Sequence, residues 1–195
     1  ADKVSGLTSS GDGTVTVTGT GTGSINLATL ASGNVNITAA DLTNGKTFMT
    51  VATGDTLTLT AAQATTETIN GTGIVAVTAL ESTLAANLSG LHADLTTTAA
   101  LNSTDNKVLA AGANLTNVDT INISGTGIVT AHASATLGGG TYVVANGATL
   151  QLTAIHADGL TANGGGTVAV TALEGDLAAN LSGLHADLTT TAALD

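Results

Sequence analysis

The stretch LAANLSGLHADLTTTAAL occupies Leu84–Leu101 and recurs letter for letter at Leu177–Leu194. Aligned at an offset of 93 residues, the longer segments 75–101 and 168–194 differ at only two positions. Self-similarity of this kind is typical of repeat architectures, in which structural units stack and bury a continuous core. The duplication therefore predicts a repeat array, and it indicates that the chain is a fragment of a longer repeat protein.

A shorter rhythm of apolar residues accompanies the duplication. Runs such as VTV, INL, VNI, LTL and VAV alternate apolar with small polar residues, and the early ones begin about ten residues apart. Alternation with a period of two is the pattern of a half-buried β-strand, and the flanking Gly, Asn, Asp and Thr favour turns. Two steps make a coil of about twenty residues, a length typical of solenoid repeats. We predict an all-β fold, a parallel β-solenoid (β-helix) that forms one continuous array over residues 1–195.

The clearest alternation is TVTVTGTGTG at Thr14–Gly23, and TLTLT at 56–60 repeats the pattern. In a strand, successive side chains point to opposite faces, so the threonines of each run would share one face. The threonines predicted to form surface rows are Thr14, Thr16, Thr18, Thr20, Thr22, Thr56, Thr58 and Thr60.

A leucine stripe in the first copy leaves a helical alternative open. Its members are Leu80, Leu84, Leu88, Leu91 and Leu95, spaced as on one face of a helix. Gly90 interrupts the stripe, and the corners of a solenoid can also repeat leucine. Short helical segments at 80–95 and 173–188 are therefore compatible with the solenoid.

Composition limits both the core and the partners. The 195 residues include one Tyr, one Phe, no Trp and no Cys, so small aliphatic side chains must fill a narrow interior. Fourteen acidic residues against three lysines and no Arg give a net charge of −11. Nucleic acids and anionic membranes both attract clustered Lys and Arg, so neither is a predicted partner. We also find no apolar run long enough for membrane insertion.

His and Asp recur two residues apart in three HAD motifs: His92/Asp94, His156/Asp158 and His185/Asp187, with His132 in a related HAS. Two such side chains on a strand point the same way, which allows a metal site or an acid–base pair. Each motif alone is short of the three or four ligands that a metal needs. The related AADL at 39–42 keeps the Asp without the His, which favours a turn-capping Asp. We predict no catalytic and no cofactor-binding residue.

Two Asp-containing turns raise the question of calcium. Asp12 lies in SGDGTVTV and Asp55 in TGDTLTL, and both resemble part of the nonapeptide that binds calcium in parallel β-rolls. The tandem copies that build an oxygen cage are missing, so no cofactor is required. Calcium at Asp12 and Asp55 is a hypothesis based on the acidic composition and on the preference of this ion for oxygen ligands.

The segment ANLTNVDTINISGTG at Ala113–Gly127, with its weaker copy TTETINGTG at 65–73, resembles a known family pattern. The pattern G-(V/I)-E-T-(I/V/L)-N-(I/V) recurs in bacterial S-layer proteins and in large secreted repeat adhesins of the calcium-dependent, RTX-like type. The Thr-, Ala- and Gly-rich composition is similar to theirs. The resemblance implies a secreted β-solenoid outside a bacterial cell, within a surface layer, a filament or an adhesin stalk. Its partners would be copies of itself or other surface-layer and matrix components.

Two non-enzymatic functions therefore compete. As a structural module, the solenoid would self-associate through its ends or faces, because open sheet edges template further strands. As a binding module, it would use its threonine rows to bind ice or polysaccharide. A pectate-lyase-like enzyme on the same fold would need basic residues for an acidic sugar, and the chain has no Arg.

Overall fold

The computed structural model describes residues 14–16, 19–21, 33–38, 40–42, 50–173, 178–185 and 187–193. The chain forms a mostly β, parallel β-solenoid of about seven turns, with coils of about 21 residues and little helix. The prediction of a parallel β-solenoid with coils of roughly this length is confirmed.

Short strands separated by tight turns make up the coils. They are β1 (Thr14–Thr16), β2 (Gly19–Gly21), β3 (Asn34–Asn36), β4 (Ala40–Leu42), β5 (Thr50–Val51), β6 (Thr56–Thr60), β7 (Asn70–Gly71), β8 (Ile74–Thr78), β9 (Thr96–Asn102), β10 (Lys107–Leu109), β11 (Thr120–Ser124), β12 (Ile128–Ala131), β13 (Thr141–Val144), β14 (Thr149–Thr153), β15 (Thr161–Gly164), β16 (Thr167–Thr171) and β17 (Thr189–Ala192). The helical elements are α1 (Ala61–Ala64), α2 (Ala154–Ala157) and a 3₁₀ turn at Leu80–Ser82.

Every named strand pairs in parallel with strands of neighbouring coils. The long sheet has eight strands in the order β1-β3-β6-β8-β9-β11-β13-β15, and the short sheet has five in the order β10-β12-β14-β16-β17. Two further pairs, β2-β4 and β5-β7, form two-stranded sheets. Since parallel strands need crossover connections, each step along a sheet is one full coil of the chain.

The core is a stack of small apolar side chains held in register along the long sheet. Leu59, Val77, Ala99, Ile121 and Tyr142 follow one another in adjacent strands, and each is at most 1% exposed. Their outward neighbours are Thr, Ala or Asn, with Val143 as the exception, so the alternation predicted from the sequence is present in the strands. Stacking the same inward position coil upon coil gives the narrow interior that an aromatic-poor chain can fill.

The single tyrosine is the largest fully buried side chain. The hydroxyl of Tyr142 donates a hydrogen bond of 2.7 Å to the carbonyl oxygen of Leu137. Burial raises the pKa of Tyr142 well above its usual value, because the phenolate would lose its hydration inside the core. The phenol is thus a satisfied core group and carries no accessible chemistry.

The leucine stripe folds as corners of the solenoid. Within residues 80–95 the structure contains one 3₁₀ turn at Leu80–Ser82, followed by turns and isolated parallel bridges such as Ile69↔Leu91. Leu88, Leu91 and Leu95 are buried without forming an α-helix. Their helix-like spacing arises because successive corners each send one leucine inward. In the second copy, residues 174–177 and 186 lie outside the described part.

The two one-turn helices lie outside residues 80–95 and 173–188, the segments for which the sequence left a helix open. Thr60 caps α1, and its hydroxyl accepts from the Gln63 N–H while the Gln63 side chain accepts from the Thr60 N–H. The Gln63 amide also donates 2.7 Å to the carbonyl oxygen of Ile37 in the preceding coil. The T-x-x-Q pattern is a capping box, and this local signal could have located the turn.

The recurring G-x-G motifs mark close approaches between coils. Gly71 has φ of +125°, and a Cβ there would lie 2.0 Å from the carbonyl oxygen of Val51. At Gly125 a Cβ would lie 2.1 Å from the carbonyl oxygen of Ser103. Only glycine fits these positions, which explains why TINGTG and TINISGTG share their ending.

Candidate functional site

The most regular feature of the surface is a column of side chains that point outward from the long sheet. One residue of each strand lies in register, and six of the eight are threonine: Thr16, Asn36, Thr58, Ala76, Thr98, Thr120, Thr141 and Thr161. Successive members are spaced about 4.8 Å apart, the distance between paired strands. The column therefore presents a periodic row of hydroxyl and methyl groups along the solenoid axis, interrupted by Asn36 and Ala76.

The predicted threonine rows are only partly brought together. Thr56, Thr58 and Thr60 lie on β6 and alternate with buried leucines, as expected. Thr14 and Thr16 lie on β1 in the long sheet, whereas Thr20 lies on β2, which pairs with β4 in a separate sheet. The expectation that the whole run forms one strand is wrong, because the chain changes sheets within it. Thr18 and Thr22 lie outside the described residues.

The outward positions of the described strands in the long and short sheets hold no charged side chain. Carboxylates lie instead at the turns, where several bind the backbone of a neighbouring coil. Asp55 accepts from the Gly33 N–H at 2.8 Å, and Asp119 accepts from the Thr97 N–H at 2.7 Å. Asp158 accepts from the Asn180 N–H at 2.7 Å. These carboxylates join consecutive coils, and the broad faces between them are neutral.

The described residues contain no cluster of ligands that would support the calcium hypothesis. The Asp55 carboxylate is engaged with Gly33, and Asp12 lies outside the described residues. Among the residues that the structure describes, no group of three or more His, Cys, Asp or Glu is arranged to hold a metal ion. Calcium binding stays a prediction.

Three of the four histidines act as caps of tight turns. The Nδ1 atom of His92 accepts from the Asp94 N–H at 3.3 Å, and His132 accepts from the Ser134 N–H at 3.1 Å in the same way. His185 repeats the geometry at 3.4 Å. Asn87 uses its side-chain oxygen identically, accepting from the N–H two residues ahead. The histidine therefore substitutes for a turn-forming Asn, and the expectation that the Asp is the cap of these turns is wrong at His92 and His185.

The remaining histidine has a different structural role. His156 lies in α2, where its Nε2 is 3.0 Å from the carbonyl oxygen of Ala135 and its Nδ1 is 3.2 Å from the Thr153 hydroxyl. This is the position that Gln63 occupies in α1, exactly one duplication length earlier. The HAD motif at His156 is thus unrelated in structure to the other two.

The duplication extends beyond the segment found from sequence and changes sheets. Helix α1 and strands β6, β8 and β9 begin 93 residues before α2, β14, β16 and β17, respectively. The first set of strands belongs to the long sheet and the second set to the short sheet. An offset of 93 residues is four coils of about 21 residues and nearly half a coil more. The same sequence therefore builds two different faces of the solenoid.

Comparison with protein-family models, with curated proteins and with solved structures finds no match to this chain. None of the helices in the described ranges has the length and apolar character needed to cross a lipid bilayer. The arrangement of residues thus offers two neutral β-faces and exposed strand edges as its candidate interaction surfaces.

Proposed function

We propose that this chain is a non-enzymatic structural module of a bacterial extracellular surface layer, filament or adhesin stalk. The observation that carries the proposal is the unbroken in-register stack of strands and apolar side chains along the axis. Such a stack makes a stiff rod, because parallel strands bond neighbouring coils to each other. The acidic, Arg-free composition and the resemblance of 113–127 to S-layer and adhesin segments support the extracellular location.

The outer edge of β17 is where a further strand can add, either from a following coil of a longer repeat protein or from another copy. Within the described residues β17 pairs only with β16. The Thr189 N–H donates to the Gly166 carbonyl and the Ala193 N–H to the Val170 carbonyl. Because alternate residues of a parallel strand bond the same neighbour, the Thr190 N–H points to the opposite, free edge. An edge of this kind templates pairing with another chain.

The proposal is tested by blocking that edge. Thr190→Pro removes an N–H that bonds no described residue, so the rod should fold while end-to-end growth is lost. Thr190→Ala removes the same side chain but keeps the N–H, and it should grow like the parent protein. Particle length in electron micrographs and mass from light scattering report the outcome. A parent protein that stays a single rod at every concentration would contradict self-association.

The threonine column favours one second candidate, a binding module for ice or polysaccharide. Six threonines in register give a flat face whose spacing repeats with every coil. Flat ordered ligands such as ice or a crystalline glycan are matched by rigid periodic surfaces, since little side-chain entropy is lost on binding. Thr98→Lys and Thr120→Lys should abolish such binding in ice-shaping and glycan co-sedimentation assays. Absence of binding by the parent protein would eliminate this candidate.

A further inference from the structure

This inference rests on the proposed structural function and concerns the broad faces, not the ends. The duplication places nearly the same outward side chains on both sheets. The outward triplets of the long sheet are Thr56/Thr58/Thr60, Ile74/Ala76/Thr78 and Thr96/Thr98/Ala100, and those of the short sheet are Thr149/Gln151/Thr153, Thr167/Ala169/Thr171 and Thr189/Thr191/Ala193. Seven of these nine positions are identical between the sheets. Three strands of each sheet therefore present nearly the same surface.

The two surfaces point away from one shared core. The inward residues of both sheets, such as Leu59 and Leu152, belong to a single apolar cluster. Each surface is thus turned to solvent in its own direction. Along the axis they are displaced by about four and a half coils, which corresponds to roughly 22 Å at the usual strand spacing.

The outward triplets contain no charged side chain, which favours a neutral partner for these surfaces. The chain carries a net charge of −11, yet the outward triplets contain only Thr, Ile, Ala and Gln. The carboxylates of Asp55, Asp119 and Asp158 lie at turns and are bonded to neighbouring coils. Two copies that meet face to face would bring no charges into the contact. The repulsion between their edges acts across solvent, where salt screens it over about 8–10 Å.

Area favours assembly over an isolated dimer. The five strands of the short sheet at about 4.8 Å, with five residues each at about 3.3 Å, give a face of roughly 400 Å², and this smaller face limits the contact. One contact between a long-sheet face and a short-sheet face would bury about 800 Å² in total, below the size of stable specific interfaces. A single contact is therefore weak, and each rod gains stability by using both of its faces.

We propose that each rod docks its long-sheet face on the short-sheet face of a second copy of this chain. A contact between two different faces leaves one free face at each side, so it continues without closing. Rods then associate laterally into sheets or bundles. When two parallel rods align the triplets of the first copy with those of the second copy, one rod is shifted along the axis by about 22 Å relative to the other.

The structure supplies a matched pair of test positions, Ala76 and Ala169. Both are alanines at the centre of an outward triplet, 93 residues apart, one on β8 and one on β16. Ala76→Glu charges the long-sheet face and Ala169→Glu charges the short-sheet face. Ala76→Gln and Ala169→Gln add a similar volume without charge. Circular dichroism checks that each variant keeps its strands.

The measurement is sedimentation at moderate and high salt in the Thr190→Pro background, so that mass reports lateral contacts alone. The Gln variants and the parent should form large lateral assemblies that increase with salt. Each Glu variant alone should stay single, because every contact needs one face of each kind. An equimolar mixture of Ala76→Glu and Ala169→Glu should give pairs of twice the single mass.

Other outcomes overturn the inference. Closed dimers of either Glu variant alone would show contacts between like faces, and assembly of both Glu variants at the parental level would show that the faces are not used. In the parent chain with Thr190 intact, particles that lengthen without widening would overturn lateral docking but leave the structural function standing. Failure to grow in either dimension would overturn both.

Discussion

Ala79 and Ala172 share a left-handed backbone with φ of 56° at each, and they lie 93 residues apart in chain order. Ala79 follows β8 of the long sheet, and Ala172 follows β16 of the short sheet. The shared sequence VAVTALE thus bends the chain in the same way on two faces. Local sequence sets the shape of the corner wherever the corner falls.

These corners predict a gain in stability from glycine. An L-residue in the left-handed region carries steric strain of about 1 kcal/mol, which glycine relieves. Ala79→Gly and Ala172→Gly should each raise the free energy of unfolding by up to about 1 kcal/mol, measured by urea denaturation. The control Ala76→Gly lies in a strand and should lower it by about 0.5–1 kcal/mol. Equal destabilisation by all three would contradict the role of φ.

A second stabilising substitution is expected at Thr97. Its side chain is fully buried, and its hydroxyl has no hydrogen-bond partner among the described residues. A buried hydroxyl without a partner costs about 1–3 kcal/mol, and valine has nearly the same shape. Thr97→Val should therefore raise the melting temperature, since the in-register Val75 shows that the position accepts valine. Thr98→Val, on the outward face, should leave it nearly unchanged.

We expect alanine at Gly71 or at Gly164 to destabilise the fold severely. A Cβ at Gly71 would lie 2.0 Å from the Val51 carbonyl oxygen, and one at Gly164 would lie 2.2 Å from the Val144 carbonyl oxygen. Each substitution forces two coils apart, and we expect a loss above about 2 kcal/mol in thermal or urea unfolding. Gly54→Ala is the matched control, because Gly54 also has a positive φ, +89°, while no atom beyond its chain neighbours lies within 4 Å of the added carbon. A mild effect at both tight positions would show that the coils are packed more loosely.

Because Tyr142 is buried, we expect the protein to unfold at alkaline pH. Burial raises the pKa of Tyr142 in the folded state above its value of about 10 in the unfolded chain. Below about pH 10 the phenol is protonated in both states, so the full free energy of unfolding is retained there. Stability should then fall as pH rises above about 10, since the unfolded chain ionises first. With one Tyr and no Trp, ultraviolet absorbance reports this group alone. The phenolate signal should appear together with loss of the strand-type circular dichroism.

A variant separates this effect from general alkaline damage. Tyr142→Phe should weaken the fold by about 1 kcal/mol at neutral pH, because the Leu137 carbonyl oxygen loses its donor. Its stability should be less sensitive to pH above about 10 than that of the parent. A phenolate signal in the folded protein near the usual tyrosine value would contradict the buried position.

Sequence patterns predicted the class of fold because a solenoid depends on local rules. Alternation at Thr56–Thr60 places leucines inward, and G-x-G at 71–73 marks a turn that only glycine can make. The roles of His92 and His156 could not be read in the same way. Identical HAD letters become a turn cap in one place and a helix residue in the other, since the hydrogen-bond partner of His156 lies 21 residues away in another coil.

The sequence by itself determined the strands, the narrow aliphatic core and the repeat of the local conformations. Only the tertiary structure decided on which sheet each copy lies. Coil lengths vary, since 18 residues separate Leu57 from its partner Val75 but 22 separate Val75 from Thr97. Turns accommodate these differences in coil length without changing the strand pattern. The summed length of several coils therefore cannot be read from the sequence pattern. That sum places the second copy nearly half a coil out of phase and gives the rod two matching faces.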